Sequence, residues 1–202
     1  MNCRLDHLTI TAPSLQAGRA WLAGRLGVDP QAGGEHPRMG THNLLLRLVD
    51  SMYLEIIAVN PLAPSPGRPR WFELDQLRAD AKPRLAGWVA RTPDIGASLA
   101  HAPDDFGVAV PMARAHLEWL ISIPEDGSLP LGGAAPTLIQ WQTPGHPAKS
   151  LQDQGCQLMA LELRHPEPGR VRELVRRLGV VEPDVQVTVV AGSSPGLAAH
   201  IR

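Results

Sequence analysis

A chain of 202 residues is long enough to bury a real core, as one domain or as two small fused modules. Its 19 Lys and Arg against 20 Asp and Glu leave a formal charge of -1, so there is no basic excess to attract a phosphate backbone and nucleic acid is not an expected partner. Two cysteines, Cys3 and Cys156, are too few for a disulfide framework or a cysteine zinc site, although one bridge between them stays open.

The start, "MNCRLDHLTI", lacks a charged segment followed by a long apolar stretch, so no signal peptide is read. No run approaches the ~20 apolar residues of a membrane helix. The expectation is a soluble, cytoplasmic chain with no membrane partner. Twenty Pro and 19 Gly fall between periodic segments and imply many hard turns.

"RLDHLTI" (4–10) reads as a strand with Leu5, His7 and Thr9 on one face and Arg4, Asp6, Leu8 and Ile10 on the other. In "APSLQAGRAWLAGRLGV", Ser14 can cap a helix. Leu15, Ala20 or Trp21, Leu22, Leu26 and Val28 give it a broad apolar stripe, and Gly27 suits its end. "DPQAGGEHPRMG" (29–40) reads as a turn-rich loop. "THNLLLRLVDSMYLEIIAV" splits at Asp50-Ser51 into a hairpin. A Pro-rich connector (60–70) and a short helix, "WFELDQLRAD" (71–80), follow. The pattern then restarts: "RLAGWVARTPDIGASLA" (84–100) is again strand, Pro and helix. The strands "HLEWLISIP" (116–124) and "PTLIQWQ" (136–142) come next, around turn material. A third start, 156–180, ends in Leu-Gly-Val. The segments 185–192 and 196–202 read as a final hairpin.

A strand-turn-helix unit that recurs three times, each followed by strands, predicts an α+β fold. The helices cover one face of a sheet, and the other face is free to curve around a cleft. We divide the chain into a first module at 1–60, a connector at 61–83, a second module at 84–143 and a third strand-helix unit with a closing hairpin at 156–202.

Glu55 interrupts the apolar run "MYLEIIAV". Glu is depleted in strands and rarely buried without a partner, so a metal, a His or a polar ligand is expected beside it. His7 reads as a packed core residue, a general base or a metal ligand, and with Glu55 as a functional or a purely structural pair. His42 is a third ligand, a general base, or only part of a cap leading into its strand. Gln140 faces the cleft if Glu55 does, where its amide suits a carbonyl or hydroxyl; otherwise it bonds locally. Trp88 and Trp119 line an apolar pocket or fill the core. His36 and His146, in loops, either approach a substrate or are simply solvated. The "GGAAP" run lacks the lysine and context of a phosphate loop.

"LDHLTI", a helix and a strand ending "YLEIIAV" resemble the opening module of the vicinal oxygen chelate superfamily, which includes glyoxalase I, extradiol dioxygenases and bleomycin-resistance proteins. "GTHNLLLRL…YLEIIAVNP", "RWFELDQL" and "PTLIQWQTPGHPA" resemble, more closely, the bacterial glyoxalase-like domain proteins over 4–192. The resemblance implies paired βαβββ modules forming a curved, mostly antiparallel sheet around a small-molecule cleft. It also implies a metal ligand from the first and last strand of each module. These would be His7 and Glu55 in the first, with Gly87 and Gln140 at the matching positions of the second. One divalent ion (Zn, Ni, Mn or Fe) would support lyase, isomerase or dioxygenase chemistry, with Glu55 and His42 catalytic and Gln140, Trp88 and Trp119 on the substrate. The alternative is a metal-free protein that sequesters a small molecule. With no ligand atom at Gly87, weak or absent metal binding is expected; a homodimer stays open.

Overall fold

The structure is a computed structural model and describes residues 2–102 and 104–202. A first unit comprises β1 (Arg4–Thr11), α1 (Leu15–Leu26), β2 (Gln31–His36), β3 (Thr41–Val49) and β4 (Met52–Val59). A second comprises β5 (Arg84–Arg91), α2 (Ile95–Leu99), β6 (Val108–Arg114), β7 (Leu117–Ile123) and β8 (Thr137–Trp141). A third comprises β9 (Leu158–His165), α3 (Pro168–Leu178), β10 (Gln186–Ala191) and β11 (Gly196–Ile201).

The first two units share one eight-stranded sheet, ordered β2-β3-β4-β1-β5-β8-β7-β6. Each is a βαβββ module whose first strand runs parallel to its last, and the modules join through an antiparallel β1–β5 pair. All other neighbours in this sheet are antiparallel. The expected fold class is therefore the observed one. The sheet curls until its two edges meet: Arg38, just after β2, donates from Nη1 to the Pro111 carbonyl of β6 at 2.9 Å.

Alternation sorts the side chains. Leu8, Ile10, Leu54, Ile56 and Trp88 face outward into a core shared with α1, α3 and β9. Ile57, Val89, Trp119, Ile121 and Ile139 face the concave side, with Trp71 and Phe72 packed onto them. α1 begins as expected, with Ser14 Oγ accepting from Ala17 N at 3.1 Å, and ends at Gly27. A Cβ at Gly18 would stand 2.3 Å from Ile56 Cγ2, so glycine lets the helix backbone lie against β4.

Four expectations change. The loop at 29–40 contains edge strand β2, hidden in sequence by the weak strand preference of Gly33 and Gly34. The 71–80 helix is a short 3-10 segment, Trp71–Gln76, kinked where Phe72 and Glu73 adopt φ near 58° and 57°. β10 and β11 flank β9 on opposite sides and do not pair as a closing hairpin. In β1, the register shifts between Leu5 and His7, a bulge at Asp6. Leu5 thereby turns outward to join Leu8 and Ile10, and Asp6 stays beside His7.

Candidate functional site

The concave face holds a small cavity of about 20 Å³, room for roughly one water. His7, Glu55, Asn43 and Tyr53 come from the first module, and Arg114, Trp119 and Trp141 from the second. His36 of β2 and the Trp71–Phe72 strap complete it. Arg114 reaches this site from the opposite edge of the sheet because the edges meet, and the glycines of β2 make room. A Cβ at Gly34 would lie 2.6 Å from Arg114 Cδ, and one at Gly33 would lie 2.1 Å from Asn43 Oδ1.

His7 Nε2 lies 3.6 Å from Glu55 Oε2. His7 is 4% exposed and Glu55 5%. Behind His7, Asp6 is fully buried and accepts three hydrogen bonds: from His7 Nδ1 at 2.7 Å, Trp141 Nε1 at 2.9 Å and His146 Nε2 at 3.0 Å. Burial alone would raise its pKa. The hydrogen bonds and charges of His146 and His7 outweigh that and hold it well below the usual carboxylate range. An ionised Asp6 can only accept, so His7 carries a proton on Nδ1 and presents Nε2 to Glu55 and the cavity. Tyr53 stacks on His7 with centroids 4.5 Å apart. Its phenol is pushed well above its ordinary pKa by burial and by the nearby Asp6 and Glu55 charges.

Asn43 Nδ2 donates to Glu55 Oε1 at 2.6 Å, leaving Oε2 toward His7. Asn43 Oδ1 in turn accepts from Arg114 Nη1 at 3.2 Å. Arg114 also approaches His36 Nε2 at 3.4 Å, while His36 Nδ1 donates to Thr41 Oγ1 at 3.1 Å. Burial first, then the charges of Arg114, His7 and His42, push His36 down to a pKa of about 3, so it is neutral. Among the described residues Arg114 has no carboxylate in ion-pair contact, and Trp71 Nε1 is buried with no acceptor.

His7, Glu55 and Trp119 thus come together, and three other sequence candidates do not. His42 pairs with Ala58 and Glu35, one residue from Asn43 and hence on the other face of β3. Gln140 faces away from the cleft, where its Oε1 accepts from Ile95 N at 2.9 Å and caps α2. Trp88 is 1% exposed in the outer core and donates from Nε1 to the Ala134 carbonyl at 3.2 Å.

A family model of the glyoxalase-like domain matches residues 5–179. The chain belongs to this family. No curated protein matches it in sequence. Among solved structures, a hypothetical protein from Staphylococcus aureus is 14% identical, with a TM-score of 0.66 over 97% of this chain and 88% of that one. A methylmalonyl-CoA epimerase in complex with methylmalonyl-CoA and NH4+ is 17% identical, with a TM-score of 0.48 over 71% of this chain and 97% of that one. A Streptomyces coelicolor methylmalonyl-CoA epimerase variant in complex with 2-nitronate-propionyl-CoA is 17% identical, with a TM-score of 0.46 over 69% of this chain and 98% of that one. The likeness to the Staphylococcus aureus protein shows the fold alone, while the family model shows the glyoxalase-like domain over most of the chain.

In this glyoxalase-like chain, the residues present do not fit the metal that such a fold implies. His7 pairs with Val89 and Thr9 with Gly87, so the approximate two-fold exchanging β1 and β5 carries His7 onto Gly87. Thr9 pairs with Glu55 and Val89 with Thr137, which places Thr137 where Glu55 stands, and not the expected Gln140. Gly87 offers no ligand atom, and a Cβ there would already lie 3.0 Å from Leu129 Cδ2. Two donors remain. One oxygen of Glu55 is taken by Asn43, and a guanidinium stands one residue away. Divalent cations need more ligands and more negative charge than this. Among the described residues no group of three His, Cys, Asp or Glu converges on a metal-sized site.

Proposed function

We propose that the cleft binds a small, oxygen-bearing anion and moves a proton on it without a metal, an isomerase- or lyase-type reaction at a carbon next to a carbonyl. The observation that carries this reading is Arg114: a guanidinium with only neutral partners, beside the unsatisfied Trp71 Nε1 and facing the His7–Glu55 pair. A carboxylate or enolate would supply the acceptors both donors lack. Glu55 Oε2 would take the proton from carbon, Arg114 would balance the charge that develops, and His7, oriented by Asp6, would exchange a proton at Nε2. The metal-assisted lyase, isomerase or dioxygenase reading has fewer ligands to stand on.

A second reading, sequestration without chemistry, is favoured by the enclosure of the site. Trp71, Phe72 and Trp119 leave space only for about a water, so any ligand must first displace the strap. That strap holds two residues in the left-handed region and is tied down by Glu73 N to the Gly127 carbonyl at 2.9 Å.

Pyruvate, with hydroxyacetone as its uncharged counterpart, separates these readings. Calorimetry is expected to show pyruvate binding preferentially, and Arg114→Ala to weaken it about tenfold or more. Deuterium exchange at the pyruvate methyl, followed by NMR, is expected to disappear in Glu55→Gln while binding persists. Binding without exchange in the parent protein would favour sequestration. Equal affinity for hydroxyacetone, or no effect of Arg114→Ala, would refute the anion site.

The metal argument has its own test. Zinc, nickel and manganese titrated into chelator-stripped protein are expected to give no tight one-to-one binding. Tight binding abolished by both His7→Ala and Glu55→Ala would return the site to metal chemistry.

A further inference from the structure

We infer that a second site, on the outer face of the sheet, binds a medium-chain fatty-acid anion. A groove of about 650 Å³ lies between α1, the 82–85 segment and β11. That volume falls within the ~300–1,000 Å³ range of small-molecule sites, and the inner cavity is far below it. Buried Leu8, Ile10 and Leu54 form its floor, and half-buried Trp21, Leu26 and Leu85 its walls. α1 explains why such a groove exists. Its apolar residues spread around the helix. Gly18 and Leu22 are buried, while Trp21 and Leu26 are only partly covered and line the groove together with β11.

The rim has one sign. Arg25, Lys82, Arg84 and His200 line the groove, and no Asp or Glu does. Arg84 is paired with Glu73 Oε2 at 3.0 Å. Arg25 instead lies over the Trp21 ring, 3.8 Å from its centroid, and among the described residues neither it nor Lys82 has a carboxylate partner. An apolar floor under a cationic rim complements a molecule with an alkyl tail and a single anionic head. A neutral lipid would leave the rim unused, and a cation would be repelled.

Decanoate, decanol and decyltrimethylammonium, each below its micelle concentration, test this on the full chain by calorimetry and tryptophan fluorescence. Decanoate is expected to bind saturably and one-to-one, with decanol weaker and decyltrimethylammonium absent. Trp21→Ala, which removes a wall of the groove, should lower both the fluorescence response and the calorimetric affinity. The surface double variant Arg25→Glu with Lys82→Glu should weaken decanoate about tenfold. Ala199→Trp, which fills the groove from β11, should abolish binding; if that variant does not fold, the double variant decides. Arg114→Ala should leave decanoate unaffected, since that residue belongs to the inner cleft. No saturable binding, equal binding of the cationic amphiphile, an unchanged affinity in the double variant, or loss in Arg114→Ala would each overturn the proposal.

Discussion

Asp6→Ala is expected to lower the unfolding free energy by about 3–5 kcal/mol, the cost typical of removing one partner from a buried charged cluster. The carboxylate is fully buried and accepts from three side chains contributed by three separate parts of the chain: His7 of β1, Trp141 of β8 and the His146 turn. His146 cannot turn to another partner without loss, because its Nδ1 already accepts from Ala148 N at 3.3 Å. Alanine would leave three buried donors facing an empty space at a bulge that exists to hold this side chain. Asp6→Asn keeps the shape but turns one acceptor into a donor, so it should cost less than alanine and more than a surface change. Urea unfolding, with an unchanged denaturant slope, measures both. A loss under about 1 kcal/mol for the alanine variant would mean that the cluster is not a structural centre of the cleft. Asp6 also fixes the tautomer of His7, so the asparagine variant should impair any proton transfer more than it impairs stability.

Much of this architecture was legible in the sequence. The three strand-turn-helix starts and the Asp50-Ser51 hairpin rest on strong periodicity, and Glu55 stands out as a glutamate that needs a partner; it is the family resemblance that names His7 beside it. Asn43 was not read: a plain two-residue turn at Asp50-Ser51 sets Leu46 opposite Glu55 and His42 on its face, and only the register shift between Arg47 and Val49 sets Leu45 opposite Glu55, which brings Asn43 to that face and turns His42 away. Other parts of the site were hidden for physical reasons. The glycines that mask β2 as a loop are the ones that clear space for Arg114 and Asn43. Arg114 lies at the end of β6, whose Pro111 argues against a strand, and it reaches the cleft only because the sheet curls. The bulge at Asp6 broke simple alternation, which assigned Leu5 to the wrong face. Gln140 was misplaced because the second module lacks the polar pattern that would fix its alignment, and only the β5–β8 register shows Thr137 in the position of Glu55.

Acidification is expected to weaken the fold through His36. Its pKa is pushed from 6.5 down to about 3 in the native protein, first by burial and then by the Arg114 guanidinium. The unfolded chain therefore takes up this proton near pH 6.5 and the native chain only near 3, so the two differ in protonation over the window between. Stability from this group is complete above pH 6.5 and falls with decreasing pH, at most by about 1.4 kcal/mol per pH unit. The structural reason is a conflict of donors. Neutral His36 accepts from Arg114 through Nε2 and donates to Thr41 through Nδ1, and a proton on Nε2 would face the guanidinium directly. Asp6 acts in the same sense but lower: its native pKa lies below 3.8, so its contribution is lost only as pH falls through that region. The half-buried carboxyl of Glu182, raised by that burial, acts in the opposite sense. Comparing urea unfolding of the parent protein with His36→Gln between pH 4.5 and 7 subtracts these groups, since they are common to both. The variant, whose amide can still accept from Arg114, should be less stable at pH 7 and should show a slope shallower by about 1 kcal/mol per pH unit. Equal slopes would mean that the native structure accommodates the protonated imidazole, with Arg114 free to swing away from it. The guanidinium would then not be fixed in the cleft, and the case for a preformed anion site would fail with it.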